Sequence, residues 1–195
     1  MRTFADWQDP PPGYLEGDLV ARCGESAEGS FVQTLVLTDI AIGWTECLPL
    51  VAREGAPVID VPKRARTLFP FPLKGGDFDN DTMFMNEAVV GWCRKVGLEI
   101  TRSRVYRKND QTWVEQKNGA AVRRLVGYAR FEGLAATAEL ARLYAAARWH
   151  RNVFQASFKL EEKAREGARV RERYHAPVAP RARVPAHPAV DPAAK

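Results

Sequence analysis

The sequence predicts a mixed α/β domain. Three observations carry this expectation: three strand-like runs before residue 50, a later alternation of short strands with helical patterns, and two long helical periodicities between residues 113 and 154. The first run is Tyr14-Leu15-Glu16-Gly17-Asp18-Leu19-Val20-Ala21-Arg22, apolar except for its acids and terminal arginine. The second, Phe31 to Thr38, is rich in β-branched residues, and the third, Trp44 to Leu48, follows a short connection containing Gly43. Strands joined this tightly form an antiparallel meander. Residues 53–68 have a helical composition, but Pro57 and Pro62 argue against one uninterrupted helix. The stretch Phe69 to Leu73 leads into a short buried strand before Asp79. Asn86 to Val96 reads as a helix, with Ala88, Val89, Trp92 and Val96 at helical spacing and Gly97 as its stop. Leu98 to Thr101 is then a fifth strand. After a polar loop, Arg102 to Thr112, the pattern from Trp113 to Phe131 is helical, with Val114, Ala121, Leu125 and Ala129 on one stripe. Leu134 to Phe154 is a second, alanine-rich helix.

A chain of 195 residues, 46% hydrophobic and 27% charged, has the length and composition of one soluble domain with a sizeable core. The formal charge of +5 is compatible with a polyanionic partner without requiring one. Cys23, Cys47 and Cys93 are isolated, which argues against a disulfide framework or a zinc knuckle and for small buried thiols in a reducing compartment. The three histidines, His150, His175 and His187, are far apart and form no zinc-ligand pattern. No apolar run approaches the ~20 residues of a membrane span, and the N-terminus lacks the apolar segment of a signal peptide. A soluble, intracellular protein is expected.

Three carboxylates stand out. Asp18 interrupts the first strand, where alternation puts it on one face with Glu16 and Val20. Asp79 heads Asp79-Asn80-Asp81-Thr82-Met83-Phe84 directly after the fourth strand, with Asp77 and Asp81 as close rivals. Glu115 opens a long helix, and 35 residues separate it from Asp79. Each also has an ordinary explanation: a solvent-facing acid on an edge strand, an acidic turn capping a helix, and a glutamate favoured by a helix N-terminus.

Together the spacing resembles the D,D-35-E signature of the retroviral-integrase and bacterial insertion-sequence transposase superfamily. Tyr106 and Gln111, nine and four residues before Glu115, match integrases, and Asn118, three after it, matches many insertion-sequence transposases. Asp79-Asn80 and Phe84 also fit, but Asp81 stands where that family has glycine. The resemblance covers roughly residues 13–174. It implies a ribonuclease-H-like α/β fold with a mixed five-stranded sheet flanked by helices, consistent with the element order β-β-β-α-β-α-β-α-α. It also implies two Mg²⁺ ions (Mn²⁺ as substitute) held by Asp18, Asp79 and Glu115, phosphodiester hydrolysis and DNA strand transfer, a homo-oligomer on DNA, and a prokaryotic, nucleoid-associated location in the cytoplasm. The alternative is a non-catalytic transposase remnant that binds DNA or co-assembles with an intact enzyme.

The DNA contacts expected on this resemblance are Tyr106, Lys108, Asn109 and Gln111 in the loop before Glu115, and Lys117, Asn118, Arg123 and Arg124 on its helix. Integrases often carry basic residues four and seven positions after the glutamate; here those are Gly119 and Val122, so that part of the grip is not carried over. The expected domain plan is an extended arm over 1–13, a catalytic core over 14–158, a charged basic extension over 159–174 and a disordered Pro/Ala tail over 175–195. Helix-turn-helix targeting modules are expected to be missing, as in a fragment, a split-frame product or a decayed element.

Overall fold

The computed structural model describes residues 10–51, 60–78, 87–102, 122–167 and 169–194. Its centre is a five-stranded sheet in the order β3-β2-β1-β4-β5. The meander expected from the sequence is present: β1 (Tyr14–Ala21), β2 (Gln33–Asp39) and β3 (Thr45–Leu50) pair antiparallel. The chain then crosses over through α1 (Asp60–Arg66) to β4 (Gly75–Phe78), and through α2 (Glu87–Lys95) to β5 (Glu99–Arg102); both new pairings are parallel. Pro62 does not prevent α1 because it lies in the first turn, where its missing N–H has no intrahelical partner to lose. Gly97, at φ 74°, ends α2 as expected.

The sheet has two covered faces. On one, Leu15, Leu35, Leu37 and Leu48 pack with Ala65 of α1 and with Phe69 and Phe71. On the other, Val20, Val32, Val36 and Cys47 pack under Val122 and under Leu140 and Tyr144 of a long helix, α4 (Gly133–Trp149), which follows a short segment α3 (Arg124–Val126). The Tyr144 hydroxyl pairs with Thr34 Oγ1 at 2.8 Å, so its polar tip is satisfied inside the core.

The helix expected to run to Phe131 stops earlier, at Gly127, whose φ is 73°. Phe131 is extended instead: its backbone bonds to both Val32 and Arg22 and seals the open end of the β1–β2 hairpin. Arg130 fills the loop of that hairpin. Its guanidinium donates to the carbonyls of Cys23, Ser26 and Glu28 at 3.1, 2.7 and 2.6 Å and pairs with Glu132. The expected apolar stripe is displaced as well: Val122 is fully buried, while Leu125 is 39% exposed.

The edge of β3 is closed by a side chain. The chain after α4 makes a π-helical turn, His150–Phe154, that turns Asn152 inward. Its Oδ1 accepts from Thr45 N and its Nδ2 donates to Thr45 O, both at 2.9 Å, which imitates a neighbouring strand and blunts the edge. Beside it, buried Glu46 accepts from Trp44 Nε1 at 2.7 Å and from Arg148 of α4 at 3.1 Å.

Two C-terminal features depart from expectation. The charged extension forms a hairpin of β6 (Leu160–Glu166) and β7 (Arg169–Tyr174). Its two strands pair antiparallel from Leu160 and Tyr174 to Glu166 and Arg169, and Arg173 pairs with Glu161 at 3.1 Å. The tail expected to be disordered contains α5 (Pro180–Ala186), and its Val184 and Val190 join the core around Ile42 and Trp44. Proline at the first helical position starts this helix, and Arg183 donates to Ile42 O at 3.0 Å and also bonds to Ser157. Few apolar residues sufficed, because each finds a place in a core already formed.

Two predictions follow from buried acids away from the sheet's centre. Glu46→Ala, which leaves Arg148 partly buried without its carboxylate, lowers unfolding free energy by about 3–5 kcal/mol in urea denaturation. Asp39 accepts from Gly13 N at 2.8 Å and Ile42 N at 2.7 Å, yet burial pushes its carboxyl up to about 7. A folded-state value above the unfolded one stabilises fully at acid pH and is lost as pH rises between about 4 and 7. Stability measured across that range declines through this group, and Asp39→Asn, which cannot titrate, removes that slope while costing a backbone hydrogen bond at every pH.

Candidate metal-binding site

Asp18 lies on β1, the central strand, with β2 on one side and β4 on the other. It is therefore no edge-strand acid. Its register partner on β2 is Val36, which places it on the sheet face shared with Val20 and covered by α4. It is half-buried, and its Oδ1 accepts from Leu19 N at 2.8 Å. Holding a carboxylate here carries a desolvation cost that a solvent-facing acid would avoid.

Beside Asp18 the structure brings together residues that the sequence reading set aside. Glu16, which shares the face of Asp18, and Asp77, a rival of Asp79 in the sequence, are register partners on the parallel pair β1–β4, and both are 0% exposed. Thr101 of β5 is the next partner across the sheet and donates to Asp77 Oδ1 at 2.6 Å. The three side chains form a buried polar row across the strands that carry the acids. Strand alternation contained the signal for Glu16, since residues 16, 18 and 20 share a face. Nothing in the sequence indicated that Asp77 would be fully enclosed.

The opposite face explains how β1 and β4 are held in register. Gly17 and Phe78 are Cα partners. The Phe78 ring lies across both strands in a notch left by two glycines. A Cβ at Gly76 would come within 2.6 Å of the ring, and one at Gly17 would collide with the ring and reach 3.1 Å from Leu37. Gly17 immediately precedes Asp18, so this apolar lock sits one residue before Asp18 on the other side of the sheet, and Phe78 immediately precedes Asp79 in the sequence.

Asp79 and Glu115 lie outside the described residues, as do Tyr106, Lys108, Asn109, Gln111, Lys117 and Asn118. Among the described residues no group of three or more His, Cys, Asp or Glu side chains stands together as a metal site. Of the expected DNA contacts, Arg123 and Arg124 are described. Both are exposed at the helix end before Gly127, and the Arg123 guanidinium lies 5.5 Å from the centroid of the Tyr128 ring. Val122, one of the positions where integrases often carry a basic residue, is core. No helix among the described residues is long and apolar enough to cross a membrane.

With the sheet order and the half-buried acid on its central strand established, the fold is that of integrase catalytic cores: a ribonuclease-H-like mixed sheet flanked by helices. The chain is similar in structure to the catalytic core of BIV integrase, with a TM-score of 0.55 and 14% identity over 74% of this chain and 86% of that one. It is equally similar to the HTLV-2 integrase catalytic core solved with magnesium in a dimeric form, with a TM-score of 0.55 and 14% identity over 77% and 93% of the two chains. A chain of the simian T-cell lymphotropic virus intasome, solved with PP2A regulatory subunit B56 gamma, matches with a TM-score of 0.59 and 17% identity over 75% of this chain and 50% of that one. No family model matches the sequence. By sequence it is similar to the uncharacterized protein y4rM of Sinorhizobium fredii, 66% identical over 183 residues, and it spans about half the length of that relative, 52%.

The Gly17–Phe78 lock is testable by substitution. Gly17→Ala forces the ring out of its notch and lowers unfolding free energy by about 1–3 kcal/mol. Combining it with Phe78→Leu, which makes room for the new methyl, recovers part of the loss in a double-mutant cycle. Strictly additive effects would show that the two residues do not share this contact.

Proposed function

We propose that this chain is the catalytic core of a metal-dependent DNA transposase or integrase, with Asp18, Asp79 and Glu115 as its three carboxylates. The observation that carries this reading is the β1–β4 register. It pairs Glu16 with Asp77 and Gly17 with Phe78. Continued by one further pair, that register would set Asp18 beside Asp79 on the face that Asp18 shares with Glu16. Two adjacent carboxylates at the end of parallel strands can share a divalent cation, and Glu115 would complete the set. The donors are all carboxylate oxygens, which suit hard ions such as Mg²⁺ and Mn²⁺. Two ions bound there would supply Lewis-acid stabilisation of charge developing on the attacking and leaving oxygens of a phosphodiester.

The protein's own part is positional. On this reading the sheet would hold Asp18 and Asp79 at a fixed separation, and Glu115 would complete their set. Exposed Arg123 and Arg124, with Lys108, Lys117 and the polar residues Tyr106, Asn109, Gln111 and Asn118, bind the DNA backbone. Such contacts position the substrate without reading its sequence. Copies of the chain assemble on DNA so that element ends and target meet.

The test is Mn²⁺-dependent cleavage of preassembled branched DNA, a substrate that already places the reacting ends together. Wild-type protein cleaves it, while Asp18→Asn and Glu115→Gln fall to background with their fold intact. DNA affinity falls with salt, and Arg123→Ala with Arg124→Ala reduces the slope of log affinity against log salt by about 2. A folded wild-type chain that binds DNA yet cleaves no better than Glu115→Gln would replace this reading by the non-catalytic remnant, with Asp81 the first residue to revert to glycine.

A further inference from the structure

Gly127 adopts φ 73° and ψ −151°, backbone angles that only glycine accepts readily. They turn the chain out of α3 and into solvent at Tyr128, which is 74% exposed. The turn is held from below. Gly127 N donates to Arg123 O at 2.8 Å, and Gly127 O accepts from Nη1 of the buried Arg22 at 2.6 Å. Two residues after the ring, Arg130 is fastened to the carbonyls of the β1–β2 loop, and the Phe131 backbone bonds to Arg22 and Val32. Tyr128 and Ala129 form a short outward span fixed at both ends.

An isolated exposed aromatic is ordinary on a protein surface. The charge around this one is not. Residues 122–131 hold three arginines and no acid. Arg123 and Arg124 are exposed, and the Arg123 guanidinium lies 5.5 Å from the centroid of the Tyr128 ring. Arg22 lies beneath and meets Arg123 as a like charge; Tyr144, Cys47 and Cys23 also act on it, and none of these is a carboxylate. Glu132, the nearest acid in the sequence, is taken by Arg130. An aromatic face beside uncompensated guanidiniums suits a ligand that is both flat and anionic. A nucleotide is both: its base stacks on a ring and its phosphate pairs with arginine. Within a duplex each base is covered by its neighbours, so a ring reaches one only where the strand is unpaired. We infer that Tyr128 is a stacking platform for an unpaired base, with Arg123 holding the adjoining phosphate. Alternation along β1 sets Arg22 on the Asp18 face, about 13 Å away along the strand. The platform therefore takes the single-stranded flank of a strand whose phosphodiester lies at Asp18. This rests on the proposed reaction on DNA and adds to it the kind of DNA end that is bound.

The experiment measures DNA binding by the full chain, by fluorescence anisotropy in EDTA, so that neither metal nor cleavage enters. Three probes share one duplex: blunt, with a short single-stranded flank, and with the same flank made abasic. Wild type should bind the flanked probe roughly 5- to 150-fold more tightly than the abasic one, the effect of one base–aromatic stack. Tyr128→Ala should lose that difference, keep its affinity for the blunt duplex and melt at the wild-type temperature. Tyr128→Trp should retain the difference. Equal wild-type affinity for the flanked and abasic probes would overturn the inference, as would a base preference that survives Tyr128→Ala or a Tyr128→Ala chain that loses its fold. So would a concentration-dependent dimer abolished by Tyr128→Ala, since a second copy would then cover the ring. A wild type that binds the blunt duplex and cleaves branched DNA with Mn²⁺, but ignores the bases of the flank, leaves the transposase reading standing and removes only the platform. If wild type binds none of the probes, both fall together.

Discussion

The placement of the acids depends on one apolar contact: the Phe78 ring lying across Gly17 and Gly76. Parallel strands joined through a helix have no tight turn to set their register, unlike the β1–β2–β3 meander, where short loops do so. A slip of one residue between β1 and β4 would break the pairing of Asp77 with Glu16. The ring prevents this because it fits only where both strands lack a Cβ. The two glycines cost conformational entropy. In return, the sheet faces divide cleanly, with an apolar lock on one side and carboxylates on the other.

The second face combines polar groups with close packing in a way that is costly for stability. Glu16, Asp77 and Thr101 form a fully buried row, and Arg22 is enclosed on the same side of the sheet. Elsewhere the buried polar groups are structural. Asp39 ties Gly13 to the β2–β3 turn, Asn152 closes the β3 edge, and Glu46 joins Trp44 to Arg148. Those three lie toward β2 and β3, and each has partners that account for it. The row between β1 and β5 lies where metal chemistry is proposed, so polar groups retained there against their desolvation cost accord with a site that needs charge.

Much of the fold was legible because strand alternation and short connections are local signals. The meander, the short strand before Asp79, the helix ended by Gly97 and the fifth strand all follow from periodicity and glycine placement. The failures have physical causes. Leu125 and Ala129 continued an apparent stripe, but Gly127 breaks the helix and the Phe131 backbone is taken up by Arg22 and Val32. The 160–174 segment has no apolar alternation, so its pairing leaves no periodic signal and only the hairpin reveals its register. The Pro/Ala tail carries too few apolar residues to fold alone, yet Val184 and Val190 complete a core built by distant strands. Of the site, Asp18 and its face were readable. The central position of its strand, the burial of Glu16 and Asp77, and the orientation of Arg22 were not, because each depends on which strands become neighbours.

The central claim is that the β1–β4 register continues one pair past Gly17 and Phe78, so that Asp18 and Asp79 stand side by side. A disulfide tests it directly, because the bond needs Cα atoms about 4.4–6.8 Å apart and side chains on one face. In a background with Cys23, Cys47 and Cys93 replaced by serine or alanine, Asp18→Cys with Asp79→Cys should cross-link under mild oxidation, while Asp18→Cys with Asp81→Cys should not. Cross-linking of the second pair in preference to the first would show a different register and remove the basis for a shared metal site.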